Sequence, residues 1–339
     1  MLSLTTIVSA IDTHTGGEPA RIVLSGLPPI PGNSMAQKKA YFSNNLDHWR
    51  TLLIQEPRGH KDMFGVILTA PTNATADFGA LFIDSSGAID MCGHGLMALT
   101  TALIETGMVK ADAPEIQLHF DTSAGLVETR ATIDKQRVSS VSVTNVPSFV
   151  IAQDLAIWLP EIGEVQVDVV FADNIVALVS GSALGVPVTA EHTRQLTTLG
   201  MAVKEAINAT VCMTHPKLAH IAKVQLTKIY DVPDPQRTDT KSVVIFGAGQ
   251  LDRSPCGTGT SAMMTLAHTK GDLALGVEHI SENLLGSCFR GHLQRELTID
   301  NHLAVVPVVS GESYVTGLSH FVMDPRDPLP YGFLVDGSP

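Results

Sequence analysis

One short segment occurs twice in this chain, and each copy begins with a cysteine. Cys92-Gly93-His94-Gly95-Leu96-Met97-Ala98-Leu99-Thr100-Thr101 runs on to Gly107. Cys256-Gly257-Thr258-Gly259-Thr260-Ser261-Ala262-Met263-Met264-Thr265 runs on to Gly271, with the two cysteines 164 residues apart. Cysteine, two glycines, alanine, threonine and the closing glycine recur at the same offsets. Chance rarely produces that in so short a window, so the segment marks a duplicated structural unit. A helical pattern follows each cysteine (Leu96 to Thr106; Thr260 to Lys270) and stops at a glycine, a common helix terminator. Each half of the chain therefore carries one thiol at the entrance to a helix.

Around these helices the sequence reads as strands. Gly65-Val66-Ile67-Leu68, Val138-Ser139-Ser140-Val141-Ser142-Val143, Val165-Gln166-Val167-Asp168-Val169-Val170 and Ser242-Val243-Val244-Ile245-Phe246 are β-rich runs punctuated by glycine and proline. A length of 339 residues allows two domains with cores of their own. An α+β fold of two pseudo-symmetric, strand-rich domains, each around a central helix, fits better than a doubly wound parallel sheet. The hinge is expected near Thr144-Asn145-Val146-Pro147. The first domain is then 1–145, joined by the tail 320–339 packed through Phe333-Leu334-Val335, and the second is 146–319. If the halves face each other, the two thiols meet across an interdomain cleft.

The formal net charge of −12 argues against nucleic-acid or anionic-membrane partners, which need clustered Lys and Arg. A small-molecule substrate is expected. No run approaches the roughly eighteen apolar residues of a membrane span. The first residues lack a basic leader and are interrupted by Asp12, so a cytoplasmic location is expected. Four cysteines suit free thiols better than a disulfide framework, with Cys212 and Cys288, among small and apolar neighbours, read as core filler.

A cysteine at a helix N-terminus is chemically special. Its ordinary pKa near 8.5 falls where unpaired backbone N–H groups present roughly half a positive charge. Gly93, Gly95, Gly257 and Gly259 let the backbone turn and expose those groups, and two such ends converging would bind a carboxylate. One thiolate could then remove a proton from the carbon next to that carboxylate, while the opposite thiol delivers a proton to the other face. Donors aimed at the carboxylate oxygens would stabilise the charge that develops. No metal and no pyridoxal phosphate is needed. A zinc site from Cys92, His94 and Cys256 lacks the usual ligand gap, and a Cys92–His94 nucleophilic dyad leaves the second cysteine unexplained. Gly247-Ala248-Gly249 has Asp252 where a dinucleotide fingerprint needs its third glycine.

Two polar, glycine-bearing segments, Asp12 to Pro19 and Glu56 to Gly65, resemble site loops. For His14, Glu18, Arg58 and His60, internal salt links and turns are an equal explanation. Asp252, just before the second cysteine, could hold a substrate ammonium or form a surface ion pair with Arg253.

Met91-Cys92-Gly93-His94-Gly95, with Asp252-Arg253-Ser254-Pro255-Cys256-Gly257-Thr258-Gly259-Thr260-Ser261-Ala262, resembles the paired signature of the proline racemase family. Glu56 to Gly65, Asn145-Val146-Pro147-Ser148-Phe149, Asp324-Pro325-Arg326-Asp327-Pro328 and Gly332-Phe333 extend the similarity over the full length. The resemblance implies a diaminopimelate-epimerase-like fold, a cofactor-independent two-thiol mechanism and a homodimer. By position it makes Cys92 and Cys256 the acid and base. Gly93, His94, Gly257 and Thr258 would bind the substrate carboxylate, and His94 and Asp252 would sit near the ring nitrogen. Cysteine at 256 separates this chain from related 3-hydroxyproline dehydratases, which carry threonine there. Phe64, Phe82 and Phe246 resemble the apolar ring pocket of the racemases, whereas 4-hydroxyproline epimerases tend to be polar at the last position. Proline is thus the expected substrate, with 4-hydroxyproline epimerisation or an impaired proline-analogue binding protein as alternatives. The chain departs from the family pattern at Phe171-Ala172-Asp173-Asn174-Ile175-Val176, where family members show Gly-Gly followed by Asn or Ser and an aromatic. A carboxylate at Asp173 would face an anionic substrate. His14 to Pro19 reads more like the epimerase and dehydratase branches.

Overall fold

The computed structural model describes residues 6–211, 213, 222–233 and 239–335. The chain divides into two compact units, Met1–Val143 with Glu312–Pro339, and Thr144–Gly311.

The first unit opens with a hairpin, β1 (Thr6–Thr15) and β2 (Glu18–Ser25), turned at Gly16 and Gly17. Two helices follow, α1 (Met35–Asn45), capped by the Ser34 hydroxyl, and α2 (Asp47–Ile54). Next come β3 (Phe64–Thr69), β4 (Phe78–Ile83), the short β5 (Ala88–Ile89), α3 (Gly93–Glu105), β6 (Glu115–Thr122), β7 (Gly125–Asp134) and β8 (Arg137–Thr144). β3 joins β2 in parallel and β4 antiparallel; β6 joins β4 in parallel, and β7 and β8 follow antiparallel.

Side chains alternate across a strand, and these strands use both faces. Ile67, Leu81 and Ile83 pack with Phe42, Trp49, Leu52 and Leu53 of α1 and α2. Their neighbours Val66 and Phe82 lie instead against the start of α3. Every residue of α3 from His94 to Ile104 is buried, as expected of a helix surrounded by apolar strands.

The second unit contains β9 (Ser148–Leu159), β10 (Gly163–Phe171), β11 (Ile175–Ser180), α4 (Thr193–Thr210), β12 (Val224–Asp231), β13 (Thr240–Phe246), β14 (Gln250–Asp252), α5 (Gly257–Lys270), β15 (His279–Glu282), β16 (Cys288–Ile299) and β17 (His302–Gly311). β11 and β12 are parallel, β12 and β13 antiparallel, β13 and β15 parallel, and β15, β16 and β17 antiparallel. β17 then pairs with β9, Ala304 opposite Phe149, and β9 with β10, so this sheet closes into a barrel. α5 packs on β9, β10, β11, β16 and β17 and is buried without a break from Gly259 to Leu266. On the opposite side of the strands α4 contributes Leu196, Val203 and Ile207 to a separate core with Val169, Phe171, Ala177 and Ile245. After β17 the chain returns to the first unit as β18 (Ser313–Met323), antiparallel to β1.

Several expectations are corrected. The helices behind the cysteines begin three residues earlier than the apolar pattern, at Gly93 and Gly257, because each cysteine is itself the N-cap. Cys288 is exposed, not core: it is the first residue of β16, and strand alternation sends Phe289 inward and the sulfur outward. Cys212 lies outside the described residues. In the tail, Phe333 exchanges backbone hydrogen bonds with Glu56 at 3.1 and 2.9 Å, but Val335 is exposed and does not anchor the end. Among the described residues no helix is long and apolar enough to cross a membrane.

Candidate active site

Both cysteines cap their helices through sulfur. Cys92 Sγ accepts the Gly95 backbone N–H at 3.4 Å, and Cys256 Sγ accepts that of Gly259 at 3.3 Å. In each case the thiol takes the place of the usual Ser or Asp oxygen and meets the N-terminal N–H groups that otherwise lack partners. Both sulfurs belong to buried residues. The glycine three positions on sits in a crowded place: a Cβ on Gly95 would stand 3.2–3.3 Å from Val66, Phe82 and the Cys92 sulfur, and one on Gly259 3.1 Å from Lys228 and Val244.

At the first cysteine, the His94 ring lies against the sulfur, Nδ1 at 3.2 Å and Nε2 at 3.6 Å. Phe64 meets His94 edge-on with 4.6 Å between centroids. The His94 carbonyl accepts from Thr15 Oγ1 at 3.1 Å, and Thr15 in turn bonds Ser313. Gly93, His94, Phe64 and Phe82 are thereby gathered around Cys92. Cys92 and His94 are thus in contact, although a nucleophilic dyad of the two leaves the second cysteine unexplained. The segment Asp12 to Pro19 forms the β1–β2 hairpin, in which Asp12 binds Arg21 at 2.7 Å and His14 stacks on Tyr314. Arg58 binds the backbone carbonyls of Val322 and Pro330.

The second cysteine stands differently. Its backbone has φ 65° and ψ 112°, in the left-handed half of conformational space, whereas Cys92 is extended at φ −148° and ψ 114°. Such a conformation costs a non-glycine residue about 1–3 kcal/mol and persists only where the surroundings enforce it. Here Ser254 Oγ accepts the Cys256 N–H at 3.1 Å, and Asp252 Oδ1 accepts the Ser254 N–H at 2.7 Å. Asp252 is buried, so it is not half of a surface ion pair with Arg253, whose guanidinium binds the Leu251 carbonyl.

Sequence reasoning missed Lys228. It is fully buried on β12, with Nζ bonded to Ser281 Oγ at 3.0 Å. Its signal in the sequence was a lone cation in an apolar strand, Val224-Gln225-Leu226-Thr227-Lys228-Ile229. Burial lowers its ammonium to about 8, opposed by the neighbouring Cys256 and Asp252. Burial likewise pushes the Cys256 thiol well above its ordinary value. Asp252 adds to that rise and Asp173 contributes, while the Gly259 N–H and Lys228 act against it.

Asp173 neither turns outward nor pairs with a base. It sits in the β10–β11 turn at φ 77°, and both carboxylate oxygens accept from the Thr258 hydroxyl at 2.9 Å. Asn174 Nδ2 donates to it at 2.7 Å. Burial raises this carboxyl to about 6 despite those bonds. Phe246 is buried at the end of β13, where Gly247 to Gly249 make the turn into β14 rather than a phosphate loop.

The sequence profile of the proline racemase family matches residues 10–334, and the chain belongs to that family of racemases and epimerases. The proline racemase of Clostridioides difficile is 43% identical over 328 residues, 97% of this chain and 98% of the relative. The 4-hydroxyproline 2-epimerase of Streptosporangium roseum is 39% identical over 329 residues, with the same coverage. Among solved structures, a hydroxyproline epimerase from Agrobacterium vitis with bound trans-4-hydroxy-L-proline superposes with a TM-score of 0.89 at 30% identity, covering 99% of this chain and 97% of that one.

Proposed function

We propose that the protein racemises proline by direct proton exchange at the α-carbon, with Cys92 and Cys256 acting as base and acid from opposite faces. The observation that carries the reading is the paired use of a cysteine sulfur as N-cap of a buried helix, with an N–H bond to sulfur in both units. A thiolate so placed is stabilised by the helix end, and the backbone N–H groups of Gly93 and His94 and of Gly257 and Thr258 bind the substrate carboxylate. The two units act as copies of one helix-centred design, with the substrate held in a cleft between them.

Cys256, which burial keeps protonated, is the proton donor in the resting form that accepts one enantiomer; Cys92, beside His94, is the base of that form. After one turnover the roles are exchanged, and the other enantiomer is the substrate. Asp252 and His94 receive the ring ammonium. No metal and no organic cofactor takes part. Phe64, Phe82 and Phe246 supply an apolar wall for the pyrrolidine ring, which favours proline over 4-hydroxyproline. The hydroxyproline epimerase relatives support the second substrate as the alternative, since a pocket lacking a hydroxyl partner rejects an added hydroxyl only weakly. Action as a cytoplasmic homodimer completes the proposal.

The test is an NMR panel of L-proline, D-proline and the 4-hydroxyproline isomers in deuterium oxide. Proline is expected to exchange and racemise fastest, unaffected by chelators. Faster epimerisation of 4-hydroxyproline would transfer the assignment to that substrate, and no exchange with any ring amino acid would leave a binding protein.

A further inference from the structure

The strand row beneath each cysteine-capped helix can be read across three strands. In the first unit Val66 pairs with Phe82 and Phe82 with Ile89. In the second unit Lys228 pairs with Val244 and Val244 with Asp252. Directly paired residues project to the same face of a sheet, so each row presents three side chains on one side. The glycine that donates to sulfur rests on the corresponding members of each row: Gly95 on Val66 and Phe82, Gly259 on Lys228 and Val244. The rows thus hold equivalent places, apolar throughout under Cys92, but carrying a cation and an anion under Cys256.

A fully buried ammonium is costly to keep, and an apolar residue would fill this place as Val66 does in the other unit. We propose that Lys228 is a positioning residue for the reaction: its ammonium, anchored by Ser281, supports negative charge on the Cys256 sulfur and offsets the carboxylates of Asp252 and Asp173. When Cys256 removes the substrate α-proton it passes from thiolate to thiol, and when it donates it passes back. Lys228 stabilises the thiolate end of that exchange and Asp252 the thiol end. The charged groups bearing on this sulfur are Lys228 from β12, Asp252 from β14 and Asp173 from the β10–β11 turn. Each charge favours the other, so the Lys228 ammonium is held most firmly when the Cys256 sulfur is a thiolate. The role in turnover rests on the two-thiol reading, whereas the effect on sulfur does not.

The experiment follows alkylation of each cysteine by iodoacetamide against pH in the full chain, by peptide mass spectrometry, with folding checked by circular dichroism. In Lys228→Met the midpoint for Cys256 is expected to rise by about one pH unit or more, the usual effect of removing a nearby opposite charge. Its alkylation rate at pH 7.5 should fall about tenfold while Cys92 stays within twofold, and Lys228→Arg should retain most of the parent profile. Ser281→Ala, which removes the anchor and leaves both charges, should move the Cys256 midpoint by a smaller amount and provides the test if Lys228→Met does not fold. A Cys256 profile unmoved in a folded Lys228→Met protein, or unmoved in Ser281→Ala should that be the only folded variant, or an equal shift at Cys92, overturns the proposal. A parent protein inactive on proline whose Cys256 profile still depends on Lys228 would remove the racemase reading and the role in turnover, and leave the effect on the sulfur standing.

Discussion

At the head of α3 the sulfur of Cys92 rests over an apolar strand row, with an extended backbone and a histidine ring alongside. At the head of α5 the sulfur of Cys256 rests over a row containing Lys228 and Asp252, with a backbone forced to positive φ and a carboxylate held by the next residue but one. The two ends share their hydrogen bond to sulfur and their glycine, and little else. What is common, a helix end and a close backbone, is what the proposed proton transfer asks of a thiol. What differs is the company of each sulfur: an imidazole in one unit, and a buried ammonium with carboxylates in the other. The repeated segment keeps the sulfur and its glycine in both units, and the surroundings differ.

The largest effects test the shared part. Cys92→Ser and Cys256→Ser should each lower proline racemisation by about 10²–10⁴-fold or more, because a hydroxyl is a poor acid–base group at neutral pH, with circular dichroism unchanged. Near-normal racemisation by either variant, measured by polarimetry, would mean that the two ends are not partners.

A smaller effect tests the carboxylate found only beside Cys256. Two unit charges about 6 Å apart at an effective dielectric near 20 repel by roughly 2–3 kcal/mol before screening, so Asp173→Asn should tighten proline binding by more than about tenfold at pH 8. Because Asp173 titrates at about 6, the parent should approach the variant's affinity as pH falls through 6. The sign for stability follows from the same shift. The folded chain holds this proton more tightly than the unfolded chain, so the cost to stability builds as pH rises from about 4, where the unfolded carboxyl ionises, to about 6, is complete above that, and is absent in acid. Asp173→Asn should then gain about 1–2 kcal/mol in urea unfolding at pH 8 and nothing at pH 3. Equal affinity and stability at both pH values would remove Asp173 from the comparison.

The smallest effect concerns the backbone. Cys256→Gly relieves a strained φ and Cys92→Gly relieves nothing, while both lose the sulfur cap. Urea unfolding should find the Cys256 variant less destabilised, by about 1–2 kcal/mol. The reverse order would show that the strain at Cys256 is not stored energy.

The parts of the molecule legible in sequence are those governed by local pattern. The duplicated segment located both thiols, the closing glycines marked both helix ends, and β-rich runs became β3, β8, β10 and β13. Helices α1, α2 and α4 were not among the elements read from the sequence, although the spacing of Leu196, Val203 and Ile207 along one face of α4 is a helical pattern. Lys228 and the exposure of Cys288 could not be found by composition: the first depends on a three-strand register and the second on strand phase. Asp173 was singled out as a misfit, but its Thr258 and Asn174 partners come from the tertiary fold.

The most direct measurement is the isotope content of product and remaining substrate in the first few per cent of turnover of L-proline in deuterium oxide. Two thiols on opposite faces predict D-proline carrying solvent deuterium at the α-carbon while the recovered L-proline remains unlabelled. Deuterium appearing in L-proline as fast as in D-proline, or D-proline that retains the original hydrogen, would contradict the pair of cysteines as separate acid and base.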